Sequence, residues 1–206
     1  MSRYIKEGSL EELSSVFELY KNDFAPCEQK TYEHLKKLIN KGNYRLLLLK
    51  DSESSAIISY MLLYLDRPRA LWVDYLAVSN EHRGTGIGTE FINLIAEKYK
   101  PDYKGIFFEV EKPDSKNELT LHYQKKRIKF YERLGAKRLE VSYKLPTREG
   151  DLPMLLYFLP LQDISFISQD FIWNSICAEH DEVHSDIEHM QSVRKSFEHT
   201  IAGQKI

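Results

Sequence analysis

Val73-Asp74-Tyr75-Leu76-Ala77-Val78, followed by Arg83-Gly84-Thr85-Gly86-Ile87-Gly88-Thr89 and a helical pattern to Tyr99, is the stretch whose reading decides the fold. The first six residues have strand character. Three glycines at alternate positions then remove Cβ atoms where a backbone must come close to something. Ile87, Phe91, Leu94, Ile95 and Tyr99 recur every three or four residues, so the helix is predicted to pack one face on a sheet. The start of such a helix offers N–H groups without helical partners and the positive end of its dipole. That geometry suits an anion, and phosphate is the usual one.

No Lys-Ser/Thr pair closes the run, so it is not a P-loop. The glycines fall as G-x-G-x-G, and the strand before them lies mid-chain, so the dinucleotide fingerprint does not fit either. What the run does match is Arg-x-x-Gly-x-Gly, at Arg83, Gly86 and Gly88. A tight strand-to-helix connection that binds nothing is the plainer alternative.

The 206 residues suit one domain with an appendage, and 42% apolar with 29% charged residues describes a globular, soluble chain. A net charge of −2 gives no general attraction to nucleic acid or an anionic membrane. Cys27 and Cys177 lie far apart without partner spacing, as reduced thiols of a cytoplasmic protein do. The chain shows no apolar leader and no run long enough to span a bilayer.

Local signals give the order β-α-α-β-β-β-α-β-α-β-β, an α/β fold on a mixed sheet. A strand over 3–6 precedes a helix opened by a capping box at Ser9 and Glu12. A second helix runs from Gln29 to Lys41, ended by Gly42. Strands follow at Tyr44–Leu49 and Ala56–Leu65, turned by Asp51-Ser52-Glu53-Ser54, and Asp66-Arg67-Pro68-Arg69 turns into the central strand. Beyond the glycine-rich helix come a strand over Ile106–Val110, a helix over His122–Leu134 closed by Gly135, and strands over Ala136–Leu145 and Leu152–Leu159. Residues 161–206 lie outside this core. Ile164, Ile167, Phe171 and Ile176, then Val183, Ile187, Met190, Val193 and Phe197, make two apolar helical stripes that must pack on the core or on a second copy, a homodimer through these helices.

Arg83, Gly86 and Gly88 after a strand ending Leu76-Ala77-Val78 resemble motif A of the GCN5-related N-acetyltransferase (GNAT) superfamily. Phe130-Tyr131-Glu132-Arg133-Leu134-Gly135-Ala136 resembles its motif B ending, Leu-Tyr-x-x-x-Gly-Phe. The resemblance covers about residues 3–160 and implies a GNAT domain over 1–160, with 161–206 as a C-terminal helical extension. It implies acetyl-CoA as co-substrate, with the N–H groups of Arg83, Gly84, Thr85, Gly86, Ile87, Gly88 and Thr89 holding the pyrophosphate. The backbone of Leu76, Ala77 and Val78 would pair with the pantetheine arm as an added strand. Arg83 has the alternative of bracing its own loop. Tyr131 would protonate the departing thiolate, its free pKa near 10 lying above that of a thiol. Superfamily members commonly have Asn and Ala seven and four residues before that Tyr; here stand Gln124 and Arg127. Gln124 is then a pantetheine contact, and Arg127 either a phosphate or substrate contact or part of a solvated Lys125-Lys126-Arg127 run.

An alkylamine must lose a proton before attack. Glu109 is the first candidate base, since the superfamily often places a carboxylate on that strand. Asp74, a carboxylate in an apolar run, is the second, and Glu111 the third. His180, His184, Glu188 and His189 have helical spacing for a metal, but sit among acidic residues and read as a solvated face, so no metal is expected. Tyr60, Tyr64, Trp72, Tyr75 and Phe107 are available to line an acceptor pocket. The implied activity is acetyl transfer from coenzyme directly to an amine, a small molecule before a peptide. The alternatives are a non-catalytic acyl-CoA-binding module and an unrelated nucleotide-phosphate binder.

Overall fold

A computed structural model of the chain describes residues 3–67 and 69–206; Met1, Ser2 and the Pro68 of the predicted turn lie outside them. The chain divides into two compact units, Met1–Leu65 with Val73–Lys98, and Asp66–Trp72 with Tyr99–Ile206.

The first unit holds β1 (Arg3–Glu7), α1 (Leu10–Asp23), α2 (Tyr32–Lys41), β2 (Tyr44–Asp51), β3 (Ile57–Asp66), β4 (Ala70–Val78, from Val73 onward) and α3 (Ile87–Tyr99, up to Lys98). Its strands follow the order β1-β2-β3-β4. β1 and β2 pair antiparallel with Ile5 opposite Leu49, and β2 and β3 with Leu47 opposite Met61. Leu46 to Leu49 and Ile58 to Leu65 are buried without alternation, as in strands covered on both faces. The second helix starts at Tyr32 rather than Gln29, because Pro26–Glu28 forms a separate 3-10 turn and the Thr31 hydroxyl caps the His34 N–H at 3.2 Å. On α3 the buried stripe is Ile87, Phe91, Ile92, Ile95 and Tyr99; Leu94, expected inside, is 42% exposed.

Both halves of the predicted capping box are present. Ser9 Oγ accepts from the Glu12 N–H at 3.2 Å, and Glu12 accepts from the Ser9 N–H at 3.0 Å. Glu12 also binds Lys50 at 2.8 Å and Lys6 at 2.9 Å. The Lys50 ammonium first, and the Ser9 N–H and Lys6 after it, hold its carboxyl down to about 2, against the opposing effect of burial. A depressed carboxyl contributes stability above its unfolded pKa that is lost as pH falls through the folded one, so this contribution fades between about 4.5 and 2. Glu12→Gln keeps the capping acceptor but removes the charge facing Lys50 and Lys6. It is expected to destabilise the protein by about 1 kcal/mol at neutral pH, the upper scale of such ion pairs, and to flatten the melting-temperature profile across that acid window.

The second unit holds β5 (Gly105–Glu111), α4 (Glu118–Arg133), β6 (Lys137–Arg138), β7 (Lys144–Thr147), β8 (Gly150–Pro160), β9 (Phe166–Ile167), α5 (Gln169–Val183), α6 (Met190–Phe197) and β10 (Gln204–Lys205). β8 lies between β5 and β6 and also carries β7, all antiparallel to it. At Gly105, opposite Pro160, a Cβ would lie 2.6 Å from the Leu159 carbonyl oxygen, so the close approach of β5 and β8 requires glycine. α4 begins a turn before the predicted His122, where Asn117 Oδ1 accepts from the Thr120 N–H at 3.0 Å. The strand predicted over Ala136–Leu145 is broken into β6 and β7, with Leu139 and Tyr143 buried between them.

The C-terminal segment packs within this unit. Phe171 lies 5.7 Å from Phe158 and 6.0 Å from Phe107 between ring centroids, and Trp72 stacks on Phe107 at 4.5 Å. Phe197 reaches Tyr143 at 5.4 Å. Among the described residues no helix is long and apolar enough to cross a membrane.

Candidate functional site

In the first unit, the glycine-rich loop leaves β4 and enters α3. Gly84 and Gly86 have φ of +78° and +90°, a left-handed backbone that disfavours other residues. An added Cβ at either would meet nothing within 4 Å, so protein packing does not demand these glycines. Backbone conformation does, together with the open space over the loop. The side chains turn away from that space. Arg83 donates through Nε to the Val78 carbonyl at 3.0 Å and through Nη2 to Asp23 at 2.8 Å, and the Thr85 hydroxyl donates to the His82 carbonyl at 2.7 Å. Arg83 therefore takes the loop-bracing alternative. The exposed backbone at 83–86 runs directly into the first turn of α3, whose amides have no helical acceptor. Peptide groups in this arrangement are chemically suited to an anion.

Leu76 and Val78 are half-buried on β4, while Ala77 is buried with its carbonyl accepting from Ser59 Oγ at 2.6 Å. Asp74 is not a free carboxylate. Its Oδ1 lies 3.0 Å from Lys30 Nζ, both side chains being buried, and the Tyr44 hydroxyl donates to its Oδ2. Lys30 also sits 5.0 Å from the Tyr75 ring centroid. Breaking such a buried pair is strongly destabilising. The role this arrangement gives Asp74 is to anchor the segment before α2 to β4.

In the second unit, Tyr131 is buried near the end of α4, its ring 4.5 Å from Phe108. Burial pushes its hydroxyl up to about 12, against the opposing effect of the Arg127 guanidinium, so it holds its proton at neutral pH. Gln124 is buried, with Oε1 accepting from the Ser115 N–H at 3.3 Å. Arg127 pairs with Glu111 at 2.8 Å. Glu109, half-buried on β5, accepts a hydrogen bond from the Tyr143 hydroxyl.

Two expectations change. Tyr60, Tyr64, Trp72, Tyr75 and Phe107 are core residues, all buried, and Tyr75 is held edge-on between Tyr20 and Phe24 at 4.8 and 4.7 Å. They do not form an open aromatic lining. His180 and His184 are buried, not on a solvated face. Ile172, Ile176 and Val183 mark the inner face of α5, and helical spacing puts Glu179 and His180 on it too, a signal the sequence carried. Among the described residues no group of three or more His, Cys, Asp or Glu is set to hold a metal ion. Lys30, Tyr44 and Tyr143 were not singled out from sequence, and no local pattern marks them.

Comparison with known proteins follows the same lines. The profile of the acetyltransferase (GNAT) family matches residues 13–136. YjbC of Bacillus subtilis (strain 168) is 32% identical over 105 residues, 49% of this chain and 50% of that one. A Dictyostelium discoideum protein is 23% identical over 135 residues, 66% of this chain and 28% of that one. The alignments thus span about half of one curated relative and less of the other. Among solved structures, a GNAT-family protein from Bacteroides thetaiotaomicron superposes with a TM-score of 0.69 at 23% identity, over 87% of this chain and 97% of that one. Arabidopsis thaliana NAA60 in complex with acetyl-CoA superposes with a TM-score of 0.58 at 14% identity, over 77% and 98%. The glycine-rich loop between β4 and α3 lies inside the matched segment, and the chain belongs to the acetyltransferase (GNAT) family.

Proposed function

We propose that the chain is an acetyl-CoA-dependent N-acetyltransferase acting directly on an amine, with residues 1–160 as its catalytic domain and 161–206 as a helical extension. The observation that carries the reading is the loop at 83–89, with Gly84 and Gly86 at positive φ, the Arg83 and Thr85 side chains bonded back to the protein and residues 83–86 exposed. Family membership and the acetyl-CoA complex of the Arabidopsis neighbour support the choice of coenzyme over another anion.

In this reading the amides of residues 84–89 hold the diphosphate, the Arg83 N–H being donated to the Asn80 carbonyl at 3.4 Å, and the backbone of Leu76, Ala77 and Val78 hydrogen-bonds the pantetheine arm. Gln124 and Arg127 become coenzyme contacts by exchanging their present partners, Ser115 and Glu111. Bound acetyl-CoA supplies an acetyl group as a thioester. Glu109 takes the amine's proton through water, a step an alkylamine with pKa near 10 needs before it can attack. Tyr131, neutral at working pH, is the proton source for the leaving thiolate. The acceptor is a small amine.

Calorimetry with CoA and a thiol-release assay over small amines and peptides test the reading. Tyr131→Phe is expected to lower kcat by about 10- to 100-fold, within the usual range of general acid–base catalysis, and to leave CoA affinity intact. An unchanged kcat would remove the acid role, and CoA binding without turnover on any amine would favour the non-catalytic module.

A further inference from the structure

Within the second unit, a polar chain runs from the half-buried Glu109 on β5 into the buried face of α5. Glu109 accepts from the Tyr143 hydroxyl, and that hydroxyl oxygen lies 3.0 Å from His180 Nε2. Tyr143 and His180 are 0% exposed and Glu179 is 1% exposed. Glu179 Oε1 lies 3.2 Å from His184 Nε2, and its Oε2 lies 3.8 Å from His180 Nε2. Phe197 packs on both Tyr143 and His180, at 5.4 and 6.4 Å. Burying four such polar groups is expensive, and an apolar filling of similar shape is often as stable or more so.

Taking Glu109 as ionised, as the role of base requires, sets the hydrogens along these contacts. An ionised Glu109 only accepts, so the single hydroxyl hydrogen of Tyr143 goes to it. The tyrosine oxygen is then an acceptor towards His180, whose Nε2 must carry a hydrogen. Donors therefore point one way, from α5 through Tyr143 to β5.

We propose that Tyr143 and His180 are positioning residues for acetyl transfer, holding the Glu109 carboxylate ionised and aimed so that it takes the proton of the acceptor amine. The inference rests on Glu109 being the base, as read above. One proton leaves the amine nitrogen and one O–H bond forms on Glu109; Tyr143 and His180 keep theirs and remain donors. Solvent later takes the proton from Glu109. α5 is thereby part of the catalytic apparatus.

The test compares Tyr143→Phe, which keeps the ring on Phe197, with His180→Leu, His180→Gln and Glu109→Gln in the full chain. Tyr143→Phe and His180→Leu are expected to lower kcat by about tenfold or more, with KM for acetyl-CoA and CoA affinity unchanged. His180→Gln, which restores a donor, is expected to recover most of the rate. Tyr143→Phe is expected to add nothing in the Glu109→Gln background, since both act through one group. Nitrogen-15 spectra of the wild type are expected to show His180 protonated at Nε2. Slow Glu109→Gln beside full-rate Tyr143→Phe and His180→Leu would overturn this inference and leave the acetyltransferase reading standing, as would an unprotonated Nε2. A wild type that binds CoA and acetylates no amine would overturn both.

Discussion

Deletion of residues 161–206 is expected to leave a chain that does not fold, not a smaller working enzyme. The segment buries Ile172, Ile176, Val183, Val193, Phe197 and Ile201 inside the second unit. At about 1.5–3 kcal/mol for each large apolar side chain, the loss is on the order of 10 kcal/mol. That is comparable with the whole stability of a domain, about 5–15 kcal/mol. Phe107, Phe158 and Tyr143 would also lose aromatic neighbours. Circular dichroism with thermal melting reads the outcome directly. A cooperative transition within a few degrees of the full chain would show the segment to be an accessory.

Gly86→Val is expected to abolish CoA binding, with affinity reduced more than about 100-fold, equivalent to some 2.7 kcal/mol. Two effects add. At φ +90° a β-branched residue is strained, and nothing on the protein occupies the space its side chain would enter. That open space is where the reading puts a diphosphate, so the new methyl groups displace the ligand and not a neighbour. Gly86→Ala keeps the strain and adds the least bulk, so comparing the two separates backbone from occupancy. Gly88→Asp, which brings negative charge to the start of α3, is expected to act in the same direction through repulsion. Calorimetry giving undiminished affinity for Gly86→Val and Gly88→Asp would overturn the cradle.

What the sequence made legible was chiefly what is local. The capping box at Ser9 and Glu12, the left-handed glycine after Lys41 and the strand-to-helix loop at 83–89 each follow from residue type over three to seven positions. The misplaced starts of α2 and α4 are local as well. In both, a capping side chain, Thr31 or Asn117, overrides the apolar periodicity by which the helix was drawn. The distant pairings were not legible. Asp74 looked like an available base because nothing near it in sequence announces Lys30, 44 residues away. His180 looked solvated because acidic neighbours outweighed the Ile172, Ile176 and Val183 stripe. The break between β6 and β7, which delivers Tyr143 to the interior, has no composition signal at all.

The placement of Tyr143 also has a consequence for how the chain is made. Its two partners lie 34 residues before it and 37 residues after it. On the ribosome, Glu109 and Tyr143 emerge first, and Phe107 and Phe158 wait uncovered until α5 arrives. At synthesis rates of about 5–20 residues per second, that interval lasts roughly 2 to 7 seconds. The nascent chain is therefore most in need of a holding chaperone just before α5 is translated, and a product released early in that window leaves the ribosome as a substrate for proteolysis.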